Sequence, residues 1–461
     1  MKIKTLLFSL FVLCTLSLTA QNPNSDSAVI RRFFDEALLR GKSHSLLGEL
    51  CTKAPHRLSG SENAQRAVEW AQNTMQNLGF DTVFLQPCMV PHWVRGEAEE
   101  AKIISKKTGK KKVNICALGG SIGTGKKGIK AQVVEVKSLK ELEELGKEKV
   151  EGKIVFYSRP MDATHIYTFH AYGGCVDQRV WGAVEAARFG AAGVIVRSMN
   201  LSTDEFPHTG SMAYEDSVTK IPAAAISTLH ADQLSFMLQN EPELEFYFKM
   251  NCETLPDVLS YNVIGEIKGS EFPDEYVIAG GHLDAWDNGE GAHDDGAGCV
   301  QSIEALRLFK VMGLRPKRTL RAVMFMNEEN GLRGAKAYAA IADSLNEKHI
   351  AGIESDRGGF APRGFHLDGD SLQIEKIRSF KELLLPYGLY DFEKGGSGAD
   401  IGQLKKGQER ILLAGYVPDS QRYFDFHHAN TDVFKSVNKR ELELGSASIA
   451  ALMYLITQYG F

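Results

Sequence analysis

Apolar residues recur at alternating four- and three-residue steps through Ala64, Val68, Ala71, Met75 and Leu78, the spacing of one helix face, with Ser61 ahead of them and Gly79 at the C-terminal stop. Residues 26–47 also read as helical, 52–60 as a turn-rich loop, and 80–85 alternate as a strand. From Tyr261 onward strands and helices take turns: an apolar run at 276–279, a helix with Val300, Ile303, Leu306 and Phe309 on one face, a strand at 319–326, then further apolar runs at 349–353 and 411–414. Near-continuous apolar strands alternating with amphipathic helices predict an α/β fold whose mostly parallel sheet is sandwiched by helices. In such sheets functional residues gather beyond the carboxyl ends of the strands.

Residues 116–250 read as a separate piece. A glycine cluster, Gly119-Gly120-Ser121-Ile122-Gly123-Thr124-Gly125, opens it and Asn240-Glu241-Pro242-Glu243 lies near its close. Between them come strands at 131–136, 153–157, 193–196 and 221–226, a charged helix at 139–147 and a helix ending at Gly190. No acidic or histidine pair there has metal-ligand spacing, so the pattern predicts a non-catalytic insertion. The remainder, 21–115 and 251–461, forms one catalytic domain.

Composition narrows the classes of function. With 461 residues, 43% hydrophobic and 24% charged, the chain is long enough for a large domain plus an insertion and is ordinary globular material. The formal net charge is −5, and setting aside the two lysines of residues 1–20 makes it −7, so there is no basic excess for nucleic acid. The one long apolar run, 6–18, follows Lys2 and Lys4 and precedes a small-residue stretch ending at Ala20, the anatomy of a signal peptide at 1–20 that is too short to span a bilayer. Cys14 follows Leu13, which does not suit a lipoprotein acylation site, so a secreted or periplasmic protein without a transmembrane segment is expected. The other six cysteines are scattered without a CxxC pair, which excludes a zinc finger and predicts mostly buried thiols, with room for one or two bridges in an oxidising compartment.

The chemistry lies just past the apolar runs. The first delivers Gly281-His282-Leu283-Asp284, followed by Gly291-Ala292-His293-Asp294-Asp295-Gly296. The next deliver Asn327-Glu328-Glu329-Asn330 and Glu354-Ser355-Asp356, and His427-His428-Ala429-Asn430-Thr431-Asp432 stands near the end. Any one of these has a plain structural explanation: a hydrogen-bonded loop histidine, an Asp-Gly turn or helix cap, a solvated charge pair. Five in this order require five coincidences. Two neutral imidazoles and three carboxylates suit zinc, and a carboxylate has two oxygens with which to bridge a pair of ions.

This ordered set resembles the di-zinc exopeptidase family that includes bacterial leucyl aminopeptidases and glutamate carboxypeptidase. His282 through Asp287, the double histidine and Pro207-His208-Thr209-Gly210 are most similar to its carboxypeptidase Q branch, and 116–250 resembles a protease-associated domain. The resemblance implies two Zn2+ ions: His282 and Asp356 on one, Glu329 and His428 on the other, Asp294 bridging. It implies Glu328 as general base toward water, Asp284 as the carboxylate that fixes the tautomer of His282, and Asp432 in the same role for His428. The four-residue spacing to Asp432 selects His428 over His427. Ser397 and Asp400 resemble part of a substrate-side loop. The implied activity is hydrolysis of small peptides by a dipeptidase or carboxypeptidase, with a homodimer left open. An aminopeptidase would use the same metal centre. A catalytically inactive receptor-like relative would need replaced ligands, and a one-zinc glutaminyl cyclase would not need the second ligand set.

Overall fold

The computed structural model describes residues 25–408 and 410–461, so the run read as a signal peptide lies outside the described residues. The apolar run leading to His282 forms the strand Phe272–His282, in the middle of a seven-stranded sheet. Arg318–Phe325 and Lys348–Glu354 flank it, both parallel to it, and Leu412–Pro418 lies parallel beyond Lys348–Glu354. The remaining pairings are antiparallel: Glu253–Ile267 and Thr82–Val94 on one side, Pro362–Asp368 on the other. The fold is mixed α/β, and the expected mostly parallel sheet is parallel only at its centre.

That centre sets the site. His282 is opposite Phe325 and Gly280 opposite Glu354 in the register, so three strands release their next residues at one level. Helix Ala297–Val311 packs behind them. Its residues from Ala297 to Phe309 are all buried, because helix Lys439–Tyr459 covers the side that an amphipathic helix would turn to water. The polar residues this encloses are paired, Arg307 with Glu304 at 2.6 Å. The helical stretch expected at 26–47 is two helices, Asp26–Arg40 and Ser43–Lys53, broken at Gly41-Lys42. Helix Glu62–Asn77 follows its periodicity, with Ala64, Val68, Ala71 and Met75 buried and the Ser61 hydroxyl accepting from the Ala64 amide.

The strand expected at 80–85 runs instead over Thr82–Val94, because it pairs along its length with Glu253–Ile267. Beyond Val263 only these two strands pair with each other, so they leave the first sheet as a ribbon. The ribbon leads to a second sheet of eight strands, in the order Gly109–Val113, Glu100–Ser105, Glu245–Lys249, Ile129–Val136, Ile154–Tyr157, Gly193–Arg197, Ala223–Ile226, Ile115–Ala117. Strands at 100–113 therefore belong to this sheet although they precede the boundary expected at 116. Their lysine-rich sequence, Gly109-Lys110-Lys111-Lys112, hid an edge hairpin in which charge is tolerated. All six described cysteines are free and buried. No helix among the described residues is long and apolar enough to cross a membrane.

The two cores interlock at Trp286, which extends from the loop after His282 into the second core and lies edge-on to Trp93 at 6.4 Å. Its ring rests directly on Gly119, where a Cβ would overlap it. Gly119→Ala should therefore destabilise the protein by about 1–3 kcal/mol through overpacking. A thermal or urea unfolding curve checks this, and an unchanged midpoint would mean that the indole has room to shift.

Candidate metal centre

The five residues expected as ligands converge at the carboxyl end of the parallel strands. Asp294 sits in the middle. One of its oxygens lies 3.1 Å from His282 Nε2 and the other 3.3 Å from His428 Nε2. His282 Nε2 is also 3.5 Å from Asp356, and His428 Nε2 is 3.2 Å from Glu329. His282, Asp294 and Glu329 each offer a donor atom within 4.8 Å of the others, and further such groups combine Asp294 with His427 and His428, and His282 with Asp295 and Asp356. The donor set fits divalent cations on one further ground: Asp294 Oδ2 and Asp356 Oδ1 are buried with no hydrogen-bond partner among the described residues. Of the paired histidines, His428 approaches Glu329 and Asp294 closely, whereas His427 stacks on it at 3.5 Å and stands 3.9 Å from Asp294.

Electrostatics separate these groups. Burial opposes the charged form of Asp294, yet the His282 hydrogen bond and the neighbouring His428 and His427 hold its carboxyl below the usual range. Burial, then Asp294, lifts Glu329 well above it, and burial likewise raises Asp356. His282 is desolvated, but Asp356 and Asp294 raise its pKa well above the ordinary value. His428 goes the other way, lowered by burial and by His427, and so presents the neutral imidazole that a metal requires. Burial pushes Glu328 up to about 8, with His282 opposing and Asp356, Asp284 and Asp294 adding to the rise.

Two supporting roles differ from expectation. The Asp284 carboxylate stays 3.9 Å from His282 Nδ1; the main-chain carbonyl of Asp284 takes that contact at 2.9 Å. The carboxylate accepts instead from the amides of Asn327 and Glu328, at 2.7 and 3.0 Å, and so fixes the turn carrying Glu328 and Glu329. Asp432 does not touch the His428 ring. It accepts from the amides of His293 and Asp294, at 2.7 and 3.1 Å, and thereby orients the central aspartate. The partner of His428 comes from the second sheet's segment: Nδ1 lies 3.3 Å from the Thr209 carbonyl, and the Thr209 amide donates to the His428 carbonyl at 3.0 Å. These bonds, with Asn288 Nδ2 donating to the same carbonyl at 2.8 Å, hold His428 at φ +61°, a left-handed conformation for a non-glycine residue.

The centre forms the floor of a cleft of about 470 Å³. Its walls include Phe169, Tyr172 and Arg179 from 116–250, together with Tyr423 and Phe424. The insertion read as non-catalytic thus contributes directly to the cleft. None of these five belongs to a histidine or carboxylate motif, so sequence reasoning missed them; Pro207-His208-Thr209-Gly210 was the one visible signal that this segment reaches the site. Asp400 is buried close to Glu354 and Glu328, but neither it nor Ser397 lines the cleft. The loop 395–400 hangs from Glu354, whose carboxylate accepts from the amides of Ala399 and Ile401 at 2.8 and 2.7 Å.

Comparison with known proteins agrees with this architecture. The profile of peptidase family M28 matches residues 262–452. Carboxypeptidase Q of Bos taurus is 36% identical over 417 residues, which is 90% of this chain and 85% of that protein, and its Xenopus laevis counterpart is 38% identical over 90% and 86%. The crystal structure of a peptidase M28 precursor from Shewanella amazonensis has a TM-score of 0.90 at 33% identity, covering 95% of this chain and 97% of its own. A zinc aminopeptidase from Bacillus subtilis shares the fold, with a TM-score of 0.64 at 18% identity over 89% and 94%. Such a sheet, with histidines and carboxylates converging beyond its parallel strands, is that of a metallo-exopeptidase. The chain belongs to peptidase family M28 and, within it, is similar to carboxypeptidase Q.

Metal uptake should be coupled to protons. The neighbouring Asp356 and Asp294 carboxylates favour the protonated form of His282, and a metal ligand must be neutral, so a divalent cation has to displace a proton there. Apparent affinity should therefore rise with pH. Calorimetry in buffers of different ionisation enthalpy reads the protons released; zero release would contradict the assignment of His282. His428→Ala should lose metal, whereas His427→Ala should keep most of it.

Proposed function

We propose that the chain is an exported two-zinc exopeptidase that hydrolyses short peptides with both termini free. The observation that carries this reading is the placement of Asp294 between His282 and His428 at the floor of a cleft, with its buried Oδ2 lacking a hydrogen-bond partner among the described residues. His282 and Asp356 would hold one zinc, Glu329 and His428 the other, and Asp294 both. When bound, the two ions would acidify water and polarise the scissile carbonyl. Glu328, beside Glu329 and lining the cleft, takes a proton from the attacking water and returns it to the leaving amine. Its elevated pKa suits a group that exchanges protons near neutrality, and divalent cations nearby would draw that value down. Asp284 acts through the main chain, holding Glu328 and Glu329 in place.

Two further parts belong to the same proposal. Residues 116–250 are a protease-associated-like domain inserted into a catalytic domain formed by 21–115 and 251–461, with the hairpin at 100–113 joining the inserted unit; the separate second sheet supports this division. Export is supported by the charged and apolar pattern of residues 1–20.

Purified protein should contain two zinc ions per chain, lose activity to a chelator, cleave unblocked dipeptides and act weakly on N-blocked dipeptides and aminoacyl p-nitroanilides. If the anilides were cleaved as well as dipeptides, an aminopeptidase would replace this reading. Glu328→Gln should retain both metals while kcat falls at least about a hundredfold, the scale of general base catalysis. Steady-state kinetics with metal analysis decides, and near wild-type turnover would remove Glu328 from the mechanism.

A further inference from the structure

Residues 283–291, which join His282 to the segment bearing Asp294, form neither helix nor strand. Their path is set instead by Arg57, a wholly buried residue of the turn-rich stretch 52–60. Its Nε donates to the Leu283 carbonyl at 2.6 Å, Nη1 to the Glu290 carbonyl at 2.6 Å and Nη2 to the Gly291 carbonyl at 2.7 Å. One rigid planar fork thus ties the two ends of the loop together, immediately after His282 and just ahead of Asp294. The main chain reinforces it: the His56 amide donates to the Gly289 carbonyl at 3.3 Å, and the Arg57 carbonyl accepts from the Ala285 amide at 3.4 Å.

Two features separate this arginine from one that only stabilises the core. Arg307 and Arg321, also buried, pair with the carboxylates of Glu304 and of Glu266 and Glu347, whereas Arg57 has no carboxylate partner among the described residues. Its three bonds all go to carbonyls of the one loop that must bring Asp294 to His282. Gly291 has φ +61°, and a Cβ there would lie 2.9 Å from Nη1, so loop and guanidinium are fitted to each other. In the same stretch Ser59 Oγ accepts from Asn327 Nδ2 at 2.8 Å and donates to Asn330 Oδ1 at 2.9 Å, bracing the turn that carries Glu328 and Glu329. A loop left open would have to be ordered by the cations themselves, and apparent affinity would fall by the fraction of molecules in the closed form.

We propose that Arg57 is the positioning residue of the metal centre: its guanidinium closes the 283–291 loop before any cation binds and so fixes the separation of His282 and Asp294. This rests on the two-metal reading above and adds to it the group that shapes the site in advance. The N-terminal stretch thereby joins the parallel strands as part of the metal-binding scaffold.

Cobalt(II) titration of the metal-free protein, followed by visible absorption, tests this without turnover. Arg57→Lys keeps the charge but not the fork, and its affinity should be at least about tenfold weaker than wild type with an unchanged circular dichroism spectrum. In Arg57→Ala, guanidinium chloride at a non-denaturing concentration should restore the cobalt absorption, and ammonium chloride should not. Hydrogen exchange of the metal-free wild-type protein needs no variant. The Glu290 and His293 amides, both bonded to Asp432, should be protected to within about threefold of the zinc-loaded protein, and should exchange at least about tenfold faster in metal-free Arg57→Lys. Wild-type affinity in Arg57→Lys, or wild-type amides that become protected only when zinc is added, overturns the proposal. Rescue by ammonium as good as that by guanidinium does so too, because charge alone would then suffice. Arg57-dependent metal binding without any dipeptide hydrolysis would sink the exopeptidase reading and leave this proposal standing.

Discussion

Six carboxylates, those of Asp284, Asp294, Asp295 and Glu329, which are buried, and of Glu328 and Asp356, which are half-buried, gather at one end of the parallel strands, and desolvation penalises the charge on every one of them. The structure meets that cost in two ways. Asp284 and Asp295, together with Asp432 nearby, accept main-chain amides: Asn327 and Glu328, His282 and Gly298, His293 and Asp294. Each such bond fixes a turn that bears a candidate ligand. Asp284 also keeps one oxygen, Oδ2, without a donor, but Asp294 and Asp356 do so while accepting no main-chain amide among the described residues, so their charge calls for cations.

The same division explains why both sheets are needed. The first provides three parallel strand ends at one level, which places His282, Glu329 and Asp356. It does not complete the surroundings of His428, whose ring and main chain are fastened by Thr209, while His208 Nδ1 contacts the His427 carbonyl at 2.6 Å. The cleft closes only where the aromatic residues and Arg179 of the inserted segment face the centre. The packing of the two cores, the candidate ligands and the cleft therefore meet along one seam, pinned by Trp286 inside the second core.

Much of this was legible in the sequence, for definable reasons. Ligand types at strand ends are visible because apolar runs mark the strands and chemistry restricts the side chains. His428 was separable from His427 by spacing to Asp432, although the reason proved indirect: Asp432 orients Asp294, not the histidine. Asp284 likewise lies at the expected position but works through peptide amides, which a sequence does not display. The break at Gly41-Lys42 and the charged hairpin at 100–113 escaped because helical periodicity continues across the first and charge masks the second. The antiparallel strands on one side of the sheet follow from the ribbon, a long-range pairing of Thr82–Val94 with Glu253–Ile267 that no local pattern announces.

The central claim is that one aspartate, Asp294, joins two metal positions with separate partners. Anomalous diffraction at the zinc absorption edge, from crystals of the zinc-loaded protein, tests it most directly. The account predicts two peaks, one bounded by His282 and Asp356, the other by Glu329 and His428, with Asp294 touching both. A single peak, or a second peak held by His427 in place of His428, would contradict it.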